Sequence, residues 1–328
     1  MKTIRRIPRR TALAALATIP LGCALPAAAQ GFPDKPITFV VPFAAGTATD
    51  QIARALANSV TAESKQAVVI DNRAGASGFI ASQQVAKAPA DGYTVLITTN
   101  TTHAANEHLF KKLPYDPVKD FAPIAGLGKG GQIMVVNMNF PAKSVGEFIA
   151  LAKKEPGKYS FGSGSSSSRM AGELLQQMAD IKLLHVPYKS NTLAVTDLLG
   201  GQINMMITDT ATGLPQVKAG KLRALGVSGA KRSPLAPDVP TIAEAAVPGY
   251  EMGYWFAAYA PAKTPPAVVK RLNELLVHAA RSEAARTAFY EQTGTEVFTT
   301  TPEELAKFQA DESQKWGRIV KAAGIEAE

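Results

Sequence analysis

Two stretches concentrate small, hydroxyl-bearing residues just where a β-rich run gives way to a helical pattern. One is Ala44-Ala45-Gly46-Thr47-Ala48-Thr49-Asp50, and the other is Gly162-Ser163-Gly164-Ser165-Ser166-Ser167-Ser168-Arg169. At a helix start the first N–H groups have no acceptor in the helix, and the macrodipole adds partial positive charge. Gly lets a ligand approach the backbone closely, and Ser and Thr add hydroxyl donors. Such a cradle suits an anion, a carboxylate above all, without needing a lysine. The candidate binding residues are therefore Gly46, Thr47 and Thr49 from the first loop, and Gly164, Ser165, Ser166, Ser167 and Ser168 from the second. The competing reading of the first loop is a plain strand-to-helix turn capped by Asp50. That of the second is a Ser-rich linker, which its place between a strand and a helix disfavours.

Two charged residues join the candidates. The helix predicted over Arg169–Ala179 puts Arg169 in its first turn, where a cation opposes the macrodipole at a cost of ~0.3–1 kcal/mol. A ligand carboxylate would offset that cost; otherwise Arg169 simply reaches into water. Asp209 follows the apolar run Ile203–Ile207 between Thr208 and Thr210. It could accept from a ligand amine or hydroxyl, or cap the turn that follows.

Catalytic and metal patterns are weaker. Gly126–Gly131 matches G-x-G-x-x-G, but the strand-like Ile133–Val136 follows where a dinucleotide fingerprint needs a helix. A flexible turn is expected there. Gly162 and Gly164 flank Ser163 too closely for a G-x-S-x-G elbow. His103 and His108 lie five apart, which fits no H-E-x-x-H zinc site. No metal or cofactor is expected. A serine hydrolase would need a base beside one of Ser163–Ser168, and His185 is the plausible partner.

The chain has 328 residues and a formal net charge of +8. Residues 1–29 read as a secretory signal peptide: Lys2, Arg5, Arg6, Arg9 and Arg10, then an Ala/Leu-rich stretch, then Ala27-Ala28-Ala29. Arg9-Arg10 leaves the twin-arginine route open beside the general one, and Gly22-Cys23 resembles a lipoprotein site except for Pro20. Without that leader, 30 basic residues face 27 acidic ones, so no basic patch argues for nucleic acid. Cys23 is the sole cysteine, so a mature chain has no thiol chemistry.

The elements that must hold the two loops alternate. Strands are predicted at Ile37–Pro42, Val68–Ile70 and Tyr93–Thr98, with helices between them. The rhythm returns at Gln132–Asn137, Ser144–Lys154, Lys158–Phe161, Arg169–Ala179, Lys182–Val186, Val195–Leu199, Ile203–Ile207 and Leu222–Val227, and two helices, Val268–Glu283 and Pro302–Ala323, close the chain. Two βαβ series predict an α/β protein of two similar lobes, with ligand bound between them at the carboxyl ends of the strands. The expected division is 30–131 plus 254–328 for lobe one and 132–253 for lobe two, the chain crossing near Gly130–Gln132 and Gly253–Trp255.

Across its mature length the sequence resembles the periplasmic substrate-binding proteins of tripartite tricarboxylate transporters, the Bug family. The resemblance is carried by Phe32–Pro42 (FPDKPITFVVP), Asp71–Gly78 (DNRAGASG), Val85–Tyr93 (VAKAPADGY), Lys112–Pro117 (KLPYDP), His185–Lys189 (HVPYK), Asp197–Gly201 (DLLGG), Lys218–Leu225 (KAGKLRAL) and Arg232–Glu244 (RSPLAPDVPTIAE). It implies a type II, periplasmic-binding-protein-like flytrap that grips a ligand carboxylate from two facing loops, often through water, and delivers it to membrane permease subunits. Carried onto this chain, those loops are Gly46, Thr47 and Thr49, and Gly164 to Ser168. There are departures. Ala44-Ala45-Gly46-Thr47 stands where the family often has Pro-Pro-Gly-Gly, Arg169 where it often has His, and Ser190 where it often has Gly. Serine-rich loops ending in Arg are similar to those of members handling aromatic dicarboxylates. The expected ligand is a carboxylate, di- or aromatic; a sensing partner of a membrane receptor would share the fold.

Overall fold

The structure is a computed structural model describing residues 31–322 and 324–327; the leader over 1–29, with Cys23, lies outside them. Ile37–Val41 (β1) is rich in β-branched residues, and all but Thr38 are buried. It pairs in parallel with Val68–Asn72 (β2) and Thr94–Thr99 (β3), through crossovers that contain Ala48–Ser64 (α1) and Phe79–Ala86 (α2). A π-helical turn, Thr101–Ala105, and the short helix Asn106–Leu109 (α3) follow β3.

The next strand, Phe121–Asn137 (β4), is 17 residues long and serves two partners in turn. Its first part, Phe121 to Gly131, runs antiparallel to Gly253–Pro261 (β9), which also pairs with β3. Its second part, from Gln132, pairs with Met205–Asp209 (β7) and Leu222–Val227 (β8). Between them come Val145–Lys154 (α4), Ser160–Ser163 (β5), Ser166–Ala179 (α5), Leu184–Pro187 (β6), Asn191–Leu199 (α6) and Thr210–Lys218 (α7). The strand order is β2-β1-β3-β9-β4-β7-β5-β6, with β8 also on β4. The short helix Ile242–Ala245 (α8) precedes β9, Pro266–Arg281 (α9) follows it, and the C-terminal helix is Pro302–Ala322.

α9 buries Val268, Leu272, Leu275, Leu276 and Ala279, the spacing of one helical face, against the cluster that holds α1 and β1. A second cluster gathers Ala194, Val195 and Leu198 of α6 with Ile133 and Val135 of β4. The first of these fixes β1, which ends at the first hydroxyl-rich loop; β5, which ends at the second, is held by a further cluster that packs Phe161 with Met170 and Leu175 of α5.

Gly126–Gly131 is not a turn; it lies within β4. Its glycines answer a distant segment. A Cβ on Gly126 would stand 2.9 Å from the Phe298 carbonyl oxygen, and one on Gly128 2.9 Å from Thr295 Cγ2. Without them residues 295–298 lie against the strand, and Lys129 and Glu296 exchange backbone hydrogen bonds of 3.0 and 2.8 Å. α5 also begins earlier than predicted: Ser166, Ser167 and Ser168 form its first turn, which moves Arg169 to the fourth helical position.

Candidate functional site

Five strands end at one cleft. Thr47, Ala48 and Thr49 reach it from the start of α1, Ser165 and Ser167 from the start of α5, and Asn191 and Asp209 from the starts of α6 and α7. Thr99 ends β3 and Phe43 follows β1, while Gln132 and Tyr254 come from the middle strands. The cleft is narrow, about 30 Å³. The first-turn N–H groups of α1 and α5 have no helical carbonyl to bond, so their dipoles converge on whatever enters.

Of the predicted residues, Thr47, Thr49, Gly164, Ser165, Ser167 and Asp209 line this cleft. Gly46 does not. It is exposed with φ +80°, donates its N–H to Asp50 Oδ2 at 2.9 Å, and so shapes the turn. Ser168 is fully buried and gives its hydroxyl to the Ile207 carbonyl. Ser166 donates to Asn106 Oδ1 at 2.8 Å and, with Arg169, faces an adjoining cavity of about 300 Å³. Phe43, Gly164 and Ser165 line both spaces, so the two are neighbours.

Local chemistry sets these positions. Ser165 caps α5, accepting from the Ser168 N–H at 3.2 Å, and its hydroxyl stands 3.2 Å from that of Ser167. Ser165→Ala should therefore cost ~1 kcal/mol of stability, read as a lower melting temperature, besides any loss of ligand. Asp209 caps α7, accepting from the Thr212 N–H at 2.8 Å and from Asn191 Nδ2 at 3.0 Å. Tyr254, its phenol pushed up to about 12 by burial, stays neutral and lies 3.1 and 2.9 Å from the hydroxyls of Thr210 and Thr295.

Asp50 is no N-cap; α1 begins after Thr47, and Asp50 sits within its first turn. Its buried carboxylate accepts from Gly46, from Arg54 Nε at 3.0 Å and from Asn72 Nδ2 at 3.0 Å. Burial acts to raise its pKa, but hydrogen bonds from Arg54, Gly46 and Asn72 outweigh it and hold the group below its usual 3.8. A depressed folded-state pKa gives stability that is present above the unfolded value and lost as pH falls through the folded one. Below about pH 4 the melting temperature should thus fall more steeply in wild type than in Asp50→Asn, as acid titration with calorimetric melting would show.

Sequence reasoning missed Asn191, Gln132, Thr99 and Tyr254. Asn191 carried a signal, standing just after Ser190 at a helix start; Ser190 accepts from the Leu193 N–H and caps α6. Gln132 is the polar head of an apolar run. Ser163 and His185 do meet, Oγ to Nε2 at 2.8 Å. Yet the neighbouring Gly164 N–H, a natural oxyanion donor, is given to Asn191 Oδ1 at 2.9 Å. Among the described residues no His, Cys, Asp or Glu group is placed to hold a metal, and no helix is long and apolar enough to cross a membrane.

Known proteins match along this whole architecture. Residues 52–325 fit the model of the tripartite tricarboxylate transporter family receptor. Protein BugT of Bordetella pertussis is 35% identical over 306 residues, 92% of this chain and 94% of BugT. The structure of R. palustris Rpa4515 with adipate is 35% identical, covering 90% of this chain and 100% of that one, with a TM-score of 0.88. MatC of Rhodopseudomonas palustris, solved with malate bound, is 31% identical over 88% of this chain and 100% of its own, with a TM-score of 0.83.

Proposed function

Because the chain belongs to the tripartite tricarboxylate transporter receptor family, we propose that it is a periplasmic solute-binding protein that captures a carboxylate, in particular a dicarboxylate, and hands it to the membrane permease of its transporter. The observation that carries this reading is the convergence of the α1 and α5 N-termini on one cleft lined by Thr47, Thr49, Ser165 and Ser167. Directed N–H and hydroxyl dipoles there match a carboxylate. The adipate and malate held by the two relatives are ligands of that class. Export to the periplasm is supported by the leader pattern over 1–29.

Capture works by closure. Lobe one is 30–131 with 254–328, and lobe two is 132–253; what supports this division is that β4 changes partners between Gly131 and Gln132. The α1 loop belongs to the first lobe and the α5 loop to the second. A ligand bridging them binds the closed form more tightly than the open one, and that difference drives closure.

The test is a thermal-shift screen of mono-, di-, tri- and aromatic carboxylates. A ligand at 100 times its Kd stabilises by ~2.7 kcal/mol, a readable rise in melting temperature. No shift with any carboxylate overturns the reading. The protein binds without turnover, so ligand recovered after long incubation should be chemically unchanged, and Ser163→Ala should remove no aryl esterase activity. A product formed by clean protein and lost in Ser163→Ala would make the Ser163–His185 pair catalytic instead.

A further inference from the structure

Gln132 stands where β4 leaves β9 for β7, and it lines the cleft. Its backbone is fixed from both sides: its N–H donates to Ser228 Oγ at 2.6 Å and its carbonyl accepts from the Ser228 N–H at 2.8 Å. The side chain cannot swing out to water, being only 1% exposed. Its Oε1 is buried and has no hydrogen-bond partner among the described residues. A buried acceptor left unsatisfied is costly, so the site lacks a donor at this point.

The neighbour makes that lack specific. Gln132 and Asp209 are register partners of the antiparallel β4–β7 pair, which puts their side chains next to each other on one face of the sheet. Asp209 presents a carboxylate to the same cleft. The cleft therefore holds two adjacent acceptors, Gln132 Oε1 with no partner among the described residues and Asp209 already bonded to Thr212 and Asn191, while the starts of α1 and α5 lining the same cleft offer N–H and hydroxyl donors. An unsubstituted carboxylate satisfies only the donor side. A carboxylate with a hydroxyl or ammonium on the neighbouring carbon satisfies both, the carboxylate facing the helix starts and the donor facing Gln132 Oε1 and Asp209.

We infer that Gln132 determines specificity and that the preferred ligand is a 2-hydroxy- or 2-amino-substituted carboxylate; the inference rests on the carboxylate reading above. Calorimetry with chain-matched ligands tests it: succinate, malate and aspartate, then adipate and 2-aminoadipate. Wild type should bind the donor-bearing member of a series at least ~10-fold more tightly than the plain one, one charge-neutral or charge-assisted hydrogen bond's worth. Gln132→Met keeps the length and removes the acceptor, so the ratio of donor-bearing to plain acid should fall toward unity, whatever happens to the absolute affinities. Gln132→Glu keeps an acceptor and adds charge, so the ammonium should gain over the hydroxyl. Malate preferred over aspartate identifies the hydroxyl as the donor, and the reverse identifies the ammonium; either supports the inference. Equal binding within each series overturns it and leaves the carboxylate reading standing, as does a donor preference that survives in Gln132→Met. Binding of none of these acids overturns both.

Discussion

Gly164→Ala should abolish ligand binding and lower the melting temperature by roughly 2–12 °C. A Cβ at this position would lie 1.9 Å from the Ser190 carbonyl carbon and 2.1 Å from the Asn191 nitrogen. Both are backbone atoms and cannot rotate aside. Gly164 is also tied to Asn191 through its N–H, so the β5–α5 loop and the start of α6 touch with no space between them. Overpacking of this kind costs ~1–3 kcal/mol, and each kcal/mol moves the midpoint by ~2–4 °C in a domain of this size. Binding suffers more than stability. The loop can admit the methyl only by drawing Ser165 and Ser167 away from the cleft, and a misplacement of about 1 Å breaks directed hydrogen bonds. Gly146→Ala is the control: the nearest atom to its added Cβ is Ser144 Oγ at 4.0 Å, within α4. There alanine should be neutral or stabilising by up to ~1 kcal/mol. Melting and calorimetry on the two variants decide it. A Gly164→Ala protein with wild-type melting and binding would mean the contact with α6 is not what places the loop.

The same contact shows which parts of the site a sequence can reveal. Ser144 and Ser165 cap helices through residues three positions on, and such signals are local. The hydroxyl-rich loops stand out for the same reason. The start of α5 was harder to read, because Ser is a poor helix former in the interior, yet Ser166–Ser168 occupy a first turn where a capped N-terminus tolerates it. Gly126 and Gly128 read as a turn because the reason for them, the 295–298 segment, lies about half the chain away. Gln132 and Asp209 are also far apart along the chain. Each is visible in sequence as a polar residue beside an apolar run, but only the β4–β7 register makes them neighbours. Within the predicted set, Ser168 and Gly46 have the right residue types and serve the scaffold: one holds the Ile207 carbonyl, the other Asp50. Residue type and spacing point to the loops; the long-range pairing decides which members of each loop face the ligand.

Arg169→Ala should weaken a dicarboxylate by ~10- to 150-fold, the worth of a charge-assisted hydrogen bond of ~1.5–3 kcal/mol, and weaken a monocarboxylate much less. Arg169 lines the cavity next to the cleft, with Gly164 and Ser165 common to both, so the expected pose has one ligand carboxylate at the helix starts and the second toward the guanidinium. Position four of α5 also softens the conflict with the macrodipole, which fades beyond the first turn. The complication is Glu173, one turn on, with Oε1 3.8 Å from Arg169 Nε and both side chains under one-fifth exposed. Burial raises the pKa of Glu173, and Arg169 works against that rise. Removing Arg169 therefore has two routes to weaker binding: loss of a direct partner for the ligand, and loss of the cation that offsets a nearby carboxylate. Arg169→Ala combined with Glu173→Gln separates them. If the loss comes from direct pairing, the double variant binds the dicarboxylate as poorly as the single one. If it comes from the uncompensated carboxylate, the double variant recovers. Arg169→Lys should restore only part of the affinity, since an ammonium cannot reproduce a bidentate fork. Equal losses for mono- and dicarboxylate, or none for either, would mean that Arg169 serves Glu173 and the fold rather than the ligand.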